Sequence, residues 1–121
     1  MISVKPLSFE PQKFALKIDP EVFVVIKPAT FADEGTRFAM LFANRKSAPM
    51  TEVASVELWL TFVECNILNA ETGEPILKAG LAYEEFAAGL SAIWAFDPDI
   101  VWDMHEKSRQ VNPRWNPEGN A

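Results

Sequence analysis

Few side chains in this sequence could do chemistry, and their spacing limits them further. The chain has one histidine, His105, and one cysteine, Cys65. A Cys–His nucleophile needs a thiolate, which requires a cationic or helix-terminal setting to lower its pKa. Cys65 stands instead within the apolar run "VELWLTFVECNIL", so a buried free thiol is the plainer reading. Zinc and redox centres need several Cys or His ligands, and neither residue has a second copy. His105 reads as a surface or half-buried helix residue one turn before Arg109. Carboxylates are more plentiful. Asp99 and Asp103 share a helical face at i and i+4, a spacing that suits acid–base work or a divalent ion, and Glu84 and Glu85 are adjacent. But Asp97 and Asp99 fall at a helix start, where negative charge is stabilised by about 0.3–1 kcal/mol, and this explains them without catalysis. No glycine-rich phosphate loop, nucleophile elbow or dinucleotide fingerprint occurs, and "GEPILKAG" lacks the Lys-Ser/Thr ending of a phosphate loop. The sequence therefore reads as a non-enzyme with no metal and no cofactor.

The unusual feature is the aromatic load, nine Phe and four Trp in 121 residues. Rings recur on helical segments: Phe38 and Phe42, Trp59 and Phe62, Trp94 and Trp102. Such rings either fill a small core or anchor a binding surface. Trp59, Phe62, Phe86, Leu90 and Trp94 are the candidates for contacting a protein partner.

The elements that must position these residues follow from periodicity. "FALKI" and "VFVVI" predict a β-hairpin, residues 14–18 and 22–27, with "DPE" as its turn. Thr30 or Asp33 caps a helix through "EGTRFAMLFAN", which places Phe31, Phe38, Leu41 and Phe42 on one face. Thr51 caps a helix over 52–68. Glu57, Thr61 and Glu64 form its narrow polar face, and apolar residues cover most of the rest. Such a helix is central to the core or shares a face with a partner. "ILKAG" is a short extended piece. A third helix covers 82–94, with Leu81, Phe86, Leu90, Ile93 and Trp94 at helical spacing. A fourth starts at the Asp97 cap with Pro98 at its first position, Phe96 and Val101 placed as a hydrophobic staple, and it stops before Pro113. Its apolar stripe is Val101, Met104 and Val111, flanked by Ile100 and Trp102. Trp115 then folds back on the fourth helix. The expected fold is α+β, mainly α: an N-terminal hairpin and about four helices in one domain over residues 1–115, followed by a disordered tail, 116–121.

The charge balance is acidic, 17 Asp+Glu against 11 Lys+Arg, a net charge of -6. That disfavours a phosphate-backbone binder, which needs a basic face. The longest apolar run is too short to span a bilayer, and the N-terminal "MISVKPLSFEPQK" has no signal-peptide core. A cytoplasmic protein without nucleic-acid or membrane partners is expected.

The C-terminal half resembles the tail assembly chaperones of long-tailed, siphovirus-type bacteriophages and prophages. The likeness rests on Gly73, Pro75 and Ile76; on Glu84, Glu85, Phe86 and Leu90; on Ile100, Val101 and Glu106 after an acidic turn; and on "VNPRW", Val111 to Trp115. Upstream, "IKPATFADEG" is similar to the handover from strand to first helix in such proteins. The resemblance covers about two thirds of the chain. It implies a protein that binds the long helical tape measure protein, keeps it soluble, helps recruit tail tube subunits and is absent from the finished virion. Self-association through the same apolar faces, giving a homo-oligomer, is equally physical. In many members a ribosomal frameshift extends a minority of copies. Glu118, Gly119 and Asn120 can be encoded GAG GGA AAC, which contains a slippery heptamer. Two other classes fit the residues less well: a small acidic inhibitor of a host enzyme, for which the charge is mild and the acids form no run, and a structural tail or head–tail protein.

Overall fold

The computed structural model describes residues 1–6 and 8–116. It is α+β and mainly α. Strands β1 (Gln12–Leu16), β2 (Asp19–Ile26) and β3 (Phe62–Cys65) form an antiparallel sheet in the order β1-β2-β3. The helices are α1 (Phe31–Leu41), α2 (Met50–Thr61), α3 (Tyr83–Phe96) and α4 (Pro98–Val111), followed by a 3-10 turn at Pro113–Trp115.

The hairpin forms, but its turn is Lys17-Ile18 rather than "DPE". The Lys17 N–H donates to the buried Asp103 carboxylate at 2.7 Å, which fixes the reversal two residues early. Pro20 then falls in an irregular stretch of β2, where the register slips between Ala15 and Leu16. A strand tolerates a missing N–H in such a place.

The helix expected over 52–68 ends at Thr61, and the chain continues as the third strand. A short β-branched and aromatic run such as "TFVEC" supports either state, and the partner decides. Here β2 offers an open edge: Val24 faces Cys65, Val25 faces Glu64 and Ile26 faces Phe62. Thr51 is not the cap of this helix. Pro49 occupies the N-cap position and no side-chain hydrogen bond forms there.

Helix α1 begins with a complete capping box: the Asp33 N–H donates to Thr30 Oγ1 at 3.0 Å, and the Thr30 N–H donates to Asp33 Oδ2 at 2.9 Å. Of its expected apolar face only Leu41 is fully buried, while Phe31 and Phe38 are exposed. Helix α4 begins as local chemistry dictates, with Pro98 in its first turn and Asp97 Oδ1 accepting from the Asp99 N–H. The staple does not form: Val101 is buried, but Phe96 is 78% exposed.

Two apolar clusters hold the layers together. One joins the sheet to α3 and α4 through Val24, Ile26, Phe62, Phe86, Ile93 and Met104. The other lies under α1 and α2 and contains Leu41, Val53, Val56, Leu60 and Trp115. Trp115 therefore closes over α1 and α2 rather than over α4. "VNPRW" acts as a clamp: Asn112 Oδ1 accepts from the Ala29 N–H at 2.8 Å and Asn112 Nδ2 donates to the Ser108 carbonyl, tying the end of α4 to the β2–α1 connection. The tail 117–121, including the Glu118–Asn120 codon positions, lies outside the described residues.

Helix α3 has a close approach at Gly89. A Cβ there would lie 2.7 Å from Leu77 Cδ2 and 2.8 Å from the Ile76 carbonyl oxygen. In an open helix Gly→Ala gains about 1 kcal/mol. At Gly89 the backbone oxygen cannot yield cheaply, so the sign reverses. Gly89→Ala is expected to destabilise by about 1–3 kcal/mol in urea unfolding.

Candidate partner-binding groove

A groove of about 340 Å³ runs along the outer face of α3. Tyr83, Ala87, Leu90, Ser91 and Trp94 recur at helical spacing and give it one continuous stripe. Thr51, Glu52 and Ser55 of α2 form one wall, and Val101 and Trp102 of α4 form the other. The rings are held at fixed angles. Trp94 meets Trp102 edge to face, with centroids 5.3 Å apart. Tyr83 meets Trp59 at 5.5 Å in the same way. Trp59 is itself fixed, because its indole N–H donates to the Leu81 carbonyl at 2.8 Å. Glu52 pairs with Arg45 at 2.7 Å. The groove thus offers rigid ring faces, four hydroxyls from Thr51, Ser55, Tyr83 and Ser91, and one paired carboxylate. It can hold an apolar or amphipathic surface, with hydroxyls to satisfy polar groups at its edge.

The five residues expected to contact a partner are distributed unevenly. Leu90 lies in the groove floor and is itself buried. Trp94 forms the rim and is 37% exposed. Trp59 is half-buried behind Tyr83. Phe62 and Phe86 pack against each other in the sheet–α3 core, with centroids 5.3 Å apart, and both are buried. Tyr83 and Trp102 complete the groove and were not among the five. Trp102 could have been found from its place beside the α4 stripe. Tyr83 carried no signal beyond its type.

Of the polar face assigned to the second helix, Glu57 and Thr61 turn inward, whereas Glu64 falls on β3 and is exposed. Glu57 is fully buried, and its Oε1 lies 2.6 Å from His105 Nε2 and 2.9 Å from Arg109 Nε. Its Oε2 lies 2.9 Å from Arg37 Nε and 2.8 Å from Arg37 Nη2. His105 is therefore a buried partner of Glu57 rather than a surface residue. Burial alone pushes the Glu57 carboxyl up. Hydrogen bonds and charge from His105 and Arg109 more than offset this, and the group ends below the usual carboxylate range. Thr61 Oγ1 joins the seam, bonding the Glu57 carbonyl and Ser108 Oγ, each at 2.8 Å. Both Glu57 oxygens are engaged and enclosed, so the cluster ties α1, α2 and α4 together.

Cys65 lies buried in β3 rather than mid-helix, and burial pushes its thiol pKa up. The His105 ring is committed to Glu57, so no Cys–His pair forms. Asp103 is likewise committed: Oδ2 accepts from the Lys17 N–H, and Oδ1 lies 3.3 Å from Lys107 Nζ. Among the described residues no three His, Cys, Asp or Glu side chains converge as a metal-holding group, and no helix is long and apolar enough to cross a membrane. Comparison with protein-family models, curated proteins and solved structures finds no match.

Proposed function

We propose that this chain is a phage tail assembly chaperone. In this reading it holds helical segments of the tape measure protein in the α2–α3–α4 groove, keeps that protein soluble in the host cytoplasm and helps bring tail tube subunits to it. It leaves before the virion matures, and a frameshifted longer form is made in a minority of copies. The observation that carries the reading is the groove itself: Trp94 and Trp102 stand at right angles on an open helical stripe with hydroxyls around them. An amphipathic helix could seat one apolar face there. The acidic surface supports solubility while the groove is empty. The resemblance of "VNPRW" and the acidic turn before α4 to this family supplies the partner's identity.

The test is co-expression with a helical fragment of the tape measure protein encoded beside this chain. The wild-type chain should raise the soluble fraction of the fragment, and no gain would overturn the reading. Trp94→Ala should weaken binding by about tenfold or more, as expected for an aromatic anchor, while far-UV circular dichroism stays unchanged.

A further inference from the structure

The charges of helix α1 are all turned toward their own chain. Asp33 closes the capping box with Thr30, Glu34 accepts from the Trp115 indole, and Arg37 pairs with Glu57. The α1 residues left facing solvent are Phe31, Ala32, Gly35, Thr36, Phe38 and Ala39, and none is charged. Phe31 is 96% exposed and Phe38 is 61% exposed. The outer stripe of a surface helix ordinarily carries its polar and charged residues. Here a chain with a net charge of -6 presents two rings instead.

Gly35 stands between those rings and has no use within the chain. Its backbone is helical, and a Cβ added there would meet nothing within 4 Å. Glycine weakens an exposed helix relative to alanine. At Gly89 a close approach of Leu77 and Ile76 accounts for the glycine, and at Gly35 nothing in the chain does. What a helix without a Cβ at that point permits is the close approach of a second helix.

The exposed face is complementary to itself. When two copies cross antiparallel with Gly35 on the two-fold axis, Phe31 falls opposite the partner's Ala39 and Phe38 opposite the partner's Ala32. Each ring then lies over a methyl group, the large-against-small pattern by which facing side chains interdigitate. Each contact occurs twice, as a two-fold interface requires. The two helix dipoles run antiparallel, which is their favourable arrangement. The face carries no charge to meet its like, so an acidic chain can pair with itself here without repulsion across the contact. Phe38 is backed by Phe42, with ring centroids 6.2 Å apart, so its ring is already held. At roughly 150–250 Å² for each fully buried Phe, the four rings supply about half of the roughly 1,200 Å² that a stable interface buries. The small residues between them supply part of the rest, and the dimer they make is weak.

We propose that two copies of this chain associate through α1, crossing antiparallel at Gly35, with Phe31 and Phe38 of each copy packed on the partner's Ala39 and Ala32. No α1 residue lines the Trp94–Trp102 groove, so the pairing is independent of the tape measure reading.

The experiment is sedimentation velocity on the full chain from about 10 µM to about 1 mM, the range in which a weak dimer forms. Gly35→Leu fills the crossing point, and Phe31→Glu/Phe38→Glu removes both rings and charges the face. The wild-type chain should shift from monomer to dimer across the range. Each variant should have its dimer Kd raised by at least about tenfold. Far-UV circular dichroism and urea unfolding at the low end of the range separate loss of the dimer from loss of the fold. Gly35→Leu should unfold at no lower urea than wild type, because its side chain enters open space on a helix. A wild-type chain that stays monomeric to about 1 mM would overturn the proposal. A dimer that survives either variant would overturn it too. So would a monomeric wild type whose α1 variants lose the soluble gain of the tape measure fragment, since the face would then belong to that partner.

Discussion

Glu57→Gln is expected to cost about 3 kcal/mol of unfolding free energy and to lower Tm by about 10 °C at neutral pH. The substitution keeps the shape of the side chain and removes only its charge. It leaves Arg37, Arg109 and His105 facing a neutral amide in a space that excludes water. Breaking a buried pair commonly costs 3–5 kcal/mol. The low end applies because the Arg37 and Arg109 side chains each retain 16% exposure and can recover some hydration. Arg37→Met should cost less than Glu57→Gln, since Glu57 would keep His105 and Arg109.

The same cluster sets an acid dependence whose sign follows from linkage. Glu57 has a folded pKa below its ordinary value of 4.5. Its contribution is therefore fully present above about pH 4.5 and is lost as pH falls through the lowered folded value. The gap in stability between wild type and Glu57→Gln, measured by urea unfolding from pH 7 downward, should stay level to about pH 5 and then narrow. A gap that widens with acid would contradict the assignment of Glu57 as the anionic centre.

How much of this was legible in the sequence depends on how local the cause was. The start of α4 was readable, because Asp97, Pro98 and Asp99 act on backbone groups within three residues. A cap at Thr30 or Asp33 was readable for the same reason, and the structure makes Thr30 the cap with Asp33 completing a box. Strand β3 was not, because "TFVEC" becomes a strand only when β2 presents an edge to it, and β2 lies about 40 positions earlier. The role of Glu57 was also hidden. Its partners sit 20, 48 and 52 positions away, so spacing on α2 could show only that Glu57 and Thr61 share a face, not that the face points inward. The available signal was a carboxylate in the second half of α2 flanked by Val56, Leu58, Trp59 and Leu60. Such a group is buried only when paired, and the chain holds only one His and a few Arg to pair with it. Of the groove, Leu90 and Trp94 came from helical periodicity on α3. Phe62 and Phe86 are equally apolar and looked equally well spaced, yet Phe62 falls in β3 itself and Phe86 packs against it, so their burial depends on where β3 lies.

Trp115→Ala is the other substitution with a large expected effect, a loss of about 3–5 kcal/mol. Trp115 is buried between α1 and α2, its indole N–H donates to Glu34 Oε1 at 2.6 Å, and the Arg37 guanidinium lies over its ring at 4.9 Å. Removing the ring opens a cavity beside Leu41 and Val56 and takes from Arg37 one of the two rings that orient it, leaving Phe42 at 5.2 Å. Trp115→Phe should cost less, about 1–2 kcal/mol, because most of the packing survives and only the hydrogen bond and part of the stacking are lost. Arg37 then links the two large effects. It stacks on Trp115 and donates to Glu57, so Trp115→Ala and Glu57→Gln should not add. A double-mutant cycle should return a coupling of about 0.5–3 kcal/mol, whereas independent sites would agree within about 0.5 kcal/mol. Additivity would mean that Arg37 holds Glu57 without help from the ring. A measured coupling would show that the Trp of "VNPRW", beyond the end of α4, helps fix the geometry of the buried carboxylate.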